Sequence, residues 1–145
     1  MARPTQVDPR GMRVAAAITT VVLALVLLTP SPVSIALLVA QAVVFGIGAL
    51  VSLKASPYAI VFARFVRPRI GPPAELEDAR PPRFAQAVGL VFAVLALIGF
   101  ALGAPAIGFT AVAFAFVAAL LNASIGLCLG CELYLALHRL HLVRA

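Results

Sequence analysis

The sequence predicts an all-α integral membrane protein, a single transmembrane domain over residues 1–145 that forms a four-helix bundle. Three observations predict it. Of the 145 residues, 63% are hydrophobic and only 11% charged, against about 25% charged in an ordinary soluble domain. The apolar residues gather in four long uncharged blocks instead of periodic stripes. Every Lys and Arg lies outside those blocks, on one side of the membrane they imply. The lipid bilayer is therefore the chain's first partner.

The blocks run over about 14–29, 33–53, 84–103 and 106–127. At ~1.5 Å per residue, ~20 helical residues cross a ~30 Å hydrocarbon layer. The first block is short, so its helix is expected to begin near Gly11, with Arg13 reaching up to the headgroups. Pro30 and Pro32 turn the chain between the first two spans, and Gly103, Ala104 and Pro105 between the second two.

Orientation follows from charge. Arg3, Arg10 and Arg13 precede the first span; Lys54, Arg64, Arg67, Arg69, Arg80 and Arg83 separate the second from the third; Arg139 and Arg144 follow the fourth. Basic residues are retained on the cytoplasmic side, so both termini and both cysteines are expected there. The pI of 10.7 does not point to nucleic acid, because these arginines flank spans and are not interleaved with base-stacking aromatics. No small-x-small cleavage site follows the first block, so a cleaved signal peptide is not expected.

The two halves read as parallel tandem two-span repeats. Pro9-Arg10 recurs as Pro82-Arg83 and Pro32 as Pro105, all at an offset of 73, while Tyr58 and Tyr134 match only after a three-residue slip. Each hairpin is followed by a short interfacial helix, expected over about 57–67 and 131–142. In the first, Tyr58, Val61, Phe62 and Phe65 share a helical face. Residues 68–83 hold five prolines and the acids Glu75, Glu77 and Asp78, so an irregular cytoplasmic linker is expected. In the fourth span Ala111, Ala115, Ala119 and Ala123 make a smooth stripe for a neighbouring helix. Asn122, deep in that span, is expected to bond across helices, with substrate contact as the lesser alternative.

One constellation carries chemistry. Gly126-Leu127-Cys128-Leu129-Gly130-Cys131-Glu132-Leu133-Tyr134 places both cysteines three apart where the fourth span ends. Gly126 and Gly130 let the backbone bend and bring the sulfurs within disulfide range. A helix starting near Cys128 or Leu129 favours a thiolate at its positive end. It also lines up Cys131, Tyr134, His138 and His141 on one drifting stripe. Three readings compete. A reactive pair leads; a structural pair of small apolar residues follows. A metal site of Cys128, Cys131, His138 and His141 is the weakest, because its gaps depart from zinc spacing. No cofactor is expected, and no charged residue marks an ion path through the spans.

Pro82-Arg83-Phe84-Ala85-Gln86-Ala87-Val88-Gly89, together with Asn122 through Tyr134, resembles the bacterial membrane family called domain of unknown function 4395, and Asp8-Pro9-Arg10-Gly11 resembles its actinobacterial branch. The resemblance covers nearly the whole chain and implies a multi-pass protein of the bacterial cell membrane. Members of the family it resembles often stand beside thioredoxin-like and rhodanese-like sulfurtransferase genes. This implies a cytoplasmic partner of that kind, with Cys128 and Cys131 taking part in thiol–disulfide exchange or sulfur transfer. The alternative is a non-catalytic membrane scaffold that docks such a partner.

Overall fold

Asp8 starts the first helix. In the computed structural model, which describes residues 5–140, its carboxylate accepts the Arg10 backbone N–H at 3.0 Å, and Pro9 fills the first helical position, where a missing N–H costs nothing. Helix α1 runs Pro9–Leu28 and α2 Val33–Gly46, prolonged by a π-helical turn over Ile47–Val51. The short helices α3 (Pro57–Val61) and α4 (Arg67–Ile70) are joined by a second π turn, Phe62–Val66. Helix α5 (Arg80–Ala101) and α6 (Pro105–Ile125) form the second hairpin, and α7 (Leu129–Arg139) comes after them. Four of these units are long and apolar enough to cross a membrane.

The long helices form a closed ring in which α1 packs on α2 and α6, and α5 on the same two. Leu23, Val26, Leu38, Phe45, Ala93, Ala96, Ala111 and Val112 fill its centre. Large apolar residues such as Leu28, Leu50, Phe114 and Ile125 stand outward, as a bundle solvated by lipid requires. Thr20, Thr110 and Ser124 return their hydroxyls to the carbonyl four residues back in their own helices, so these three donors do not face hydrocarbon bare. Helices α5 and α6 approach closely where a Cβ on Gly99 would come 2.8 Å from the backbone nitrogen of Gly108. Glycines set this separation. Of the alanine stripe, Ala111 packs in the core, while Ala115 and Ala119 line a cavity.

Helix α1 starts at Pro9, a little before the expected Gly11. The Arg13 guanidinium donates to the Ala123 and Ser124 carbonyls, at 3.3 and 3.1 Å, at the end of α6, where a cation meets the negative helix terminus. Two expectations are corrected.

The stretch 68–83 is not irregular throughout. Glu77–Asp78 pairs antiparallel with Gln6–Val7, the N–H of Ala79 bonds to the Thr5 carbonyl, and α5 begins at Arg80. Val7, Leu53 and Ala79 pack together beneath this ladder. Arg10 bonds both Asp8 carboxylate oxygens and the Gly71 carbonyl at 2.8 Å, while Arg67 stands 3.8 Å from Asp8.

The face expected on residues 57–67 is split. Tyr58 and Phe62 turn inward, whereas Val61 and Phe65 are exposed. The π turn inserts one residue per turn and rotates the helix beyond it.

The first two spans and α3 meet at Gln41, which is fully buried. Its amide donates to Thr19 at 3.4 Å and accepts from the Tyr58 hydroxyl at 2.6 Å. Burial pushes the Tyr58 phenol up from its ordinary value, so it stays a donor at physiological pH. Tyr58→Phe is expected to cost about 1 kcal/mol, and Gln41→Leu more, because it strands both partners; unfolding in mixed micelles measures both. Gly99→Leu should overpack the hairpin by about 1–3 kcal/mol in the same assay.

Arg10 hydrogen-bonded to Asp8 holds that carboxyl below its ordinary 3.8. A carboxylate with a lowered folded value stabilises fully above the ordinary value and loses that contribution as pH falls through the lowered one. The clamp of residues 5–8 should therefore resist proteolysis at neutral pH and open only below about pH 4. Asp8→Asn should open it at neutral pH too.

Candidate functional site

The site is built on two helix ends. Helix α6 stops because Gly126 is left-handed (φ 74°), with its N–H on the Asn122 carbonyl and that of Leu127 on Leu121. A residue with a Cβ is strained in that conformation. The chain then extends through Cys128 (φ −87°, ψ 101°), which caps α7: its Sγ accepts the Cys131 backbone N–H at 3.2 Å. One turn of helix brings the Cα atoms of Cys128 and Cys131 to 5.2 Å, and their sulfurs are joined in a disulfide. Both cysteines are partly exposed at the end of the bundle. Glu132 in the first turn of α7 and His138 and Arg139 in the last suit the helix dipole.

Gly130 does not serve as a hinge. Its backbone is helical, and what matters is the missing side chain: a Cβ there would lie 2.6 Å from both Cα and Cβ of Ala85. The first turn of α7, cysteines included, is therefore pressed directly onto α5. Four residues on, Tyr134 is buried with its ring 5.6 Å from that of Phe84 and stacked on His138 at 6.1 Å. Gly126 is thus the only hinge of the two expected, and Tyr134 is a packing anchor.

Below the disulfide a cavity of about 460 Å³ opens between α1, α5 and α6. Cys128, Cys131 and Gly130 line it, with Arg13, Gln86, Asn122, Phe92 and Phe114. The side chain of Asn122 makes no hydrogen bond among the described residues, so the expected interhelical bond is replaced by a cavity wall. A second cavity of about 870 Å³ lies under residues 53–76, with Lys54, Arg64 and Arg67 on its wall, and Gln86 borders both.

Cys128 and Cys131 are bonded to each other here, and among the described residues no three His, Cys, Asp or Glu side chains gather at one place. His141 lies outside the described residues.

Arg13, Phe84, Ala85 and Gln86 were not singled out individually as site residues by sequence reasoning. The signal for three of them was present, because Phe84, Ala85 and Gln86 lie within Pro82–Gly89, one of the two segments that carry the family resemblance, and the fold sets that segment against the cysteine motif.

Gly130→Leu should push α7 off α5 and expose Tyr134 while leaving both cysteines in the sequence. The expected outcome is faster proteolysis after Gly126 in the otherwise folded protein.

No curated protein and no solved structure matches the chain. Residues 7–139 match a family model, and the chain belongs to the family described as Domain of unknown function (DUF4395).

Proposed function

We propose that the protein is a membrane-anchored dithiol–disulfide protein whose Cys128–Cys131 pair exchanges electrons or sulfur with a thioredoxin-like or rhodanese-like partner at the cytoplasmic face. The observation that carries the reading is the cap. The Cys128 sulfur already holds the hydrogen bond and the helix terminus that stabilise a thiolate.

In the exchange, a partner thiolate attacks one sulfur, a mixed disulfide forms, and the other sulfur leaves as thiolate; a second partner thiol then completes the reduction. In the reduced state Cys128 is the nucleophile and Cys131 resolves. Cytoplasmic placement rests on the confinement of all eleven basic residues to one side of the spans. In a reducing compartment a disulfide at an exposed helix start is a turnover state more than a staple. The scaffold alternative keeps the same membrane anchor and makes the sulfurs dispensable.

Cytoplasmic reporters fused after residue 1, near Glu77 and after residue 145 should all be active; an exported reporter active at the C-terminal fusion would reverse the orientation. In Cys131→Ser the backbone N–H at 131 persists, so Cys128 should alkylate with a pKa at least about one unit below the unperturbed 8.5. Cys131 in Cys128→Ser, which lacks such a donor, should alkylate more slowly at the same pH. Equal and unshifted alkylation profiles for the two variants would remove the nucleophile assignment.

A further inference from the structure

We propose that the cavity lined by Cys128 and Cys131 holds the ring of a lipid-soluble quinone, which accepts the electrons of the reduced pair. The inference rests on the dithiol reading and names its membrane-side co-reactant. A pair that only exchanged with soluble thiols would need no chamber, whereas this one walls a space of about 460 Å³ running into the bundle, within the range of small-molecule sites.

The lining suits a quinone in both redox states. Phe92 and Phe114, with ring centroids 6.2 Å apart, offer apolar faces from α5 and α6. Gln86 and Asn122 are half-buried on the same two helices, and neither side chain spends a hydrogen bond among the described residues. An amide donates to a quinone carbonyl through its N–H and accepts from a quinol hydroxyl through its oxygen. Lateral access is present too. Phe114 borders the cavity and is also 63% exposed on the outer, lipid-facing surface, so an isoprenoid tail can lie in the bilayer while the ring sits inside.

The reaction balances. Two S–H bonds break and one S–S bond forms, the two electrons and two protons pass to the two carbonyl oxygens, and the quinone leaves as quinol. A dithiol of the partner protein then reduces the Cys128–Cys131 disulfide by exchange.

The test uses the full chain in nanodiscs, reduced and freed of excess reductant, with decylubiquinone as probe. The expected result is one quinol formed per disulfide. Ala119→Phe, which fills the cavity, and the near-isosteric Asn122→Leu should each raise the KM for quinone at least tenfold. Exchange of the pair with dithiothreitol is measured on the same samples. Normal exchange with no quinone reduction, or with quinone kinetics indifferent to both substitutions, would overturn the inference and leave the dithiol reading standing. Failure to exchange with dithiothreitol would overturn the dithiol reading itself.

Discussion

The fold depends on satisfying backbone groups at helix ends in a bundle whose outside is hydrocarbon. At the end where the linker lies, two arginines meet that demand across the ring. Arg13 of α1 closes the last carbonyls of α6, and Arg83 of α5 closes the Ala49 carbonyl at 2.7 Å and that of Leu50 at the end of the second span. Each hairpin's beginning thus caps the other hairpin's end. With the terminus of α6 held, left-handed Gly126 aims the chain sideways, and the cysteines emerge at a fixed place over the bundle.

Helix α5 is the platform on which the cysteine turn rests. Between Pro82 and Gly89 it receives the bare backbone of Gly130 at Ala85 and the ring of Tyr134 at Phe84, and it adds Gln86 to the cavity wall. The disulfide is therefore held on a rigid span and not on a loop, although it sits where the chain leaves the membrane. Rigidity there keeps the Cys131 N–H on the Cys128 sulfur, which is the bond that favours the thiolate when the pair opens.

Much of this was legible in the sequence, because membrane spans announce themselves by composition. The four spans, their two hairpins and the cysteine turn all follow from local patterns. What was missed is non-local. The pairing of Gln6–Val7 with Glu77–Asp78 joins two-residue segments some seventy positions apart, too short to leave a period. The acceptors of Arg10 at Gly71 and of Arg13 at the end of α6 lie far along the chain and are visible only in three dimensions. Gln41 drew no notice beside charged residues, yet it is the most deeply buried polar side chain among the described residues, and an amide in the middle of a span was signal enough. Gly130 was recognised for the wrong reason: glycine next to a cysteine suggests bending, whereas here it admits a neighbouring helix.

A single measurement bears most directly on whether Cys128 and Cys131 work as an exchanging pair: the midpoint of the pair in the intact protein, titrated against glutathione or dithiothreitol buffers and read by mass-tagging of free thiols. Exchange proteins have potentials of roughly −270 to −120 mV, and structural disulfides below about −300 mV. A reversible two-electron transition in the first range is expected of the fold described. A pair that stays oxidised below about −300 mV would contradict it, and would make the disulfide a staple for the start of α7.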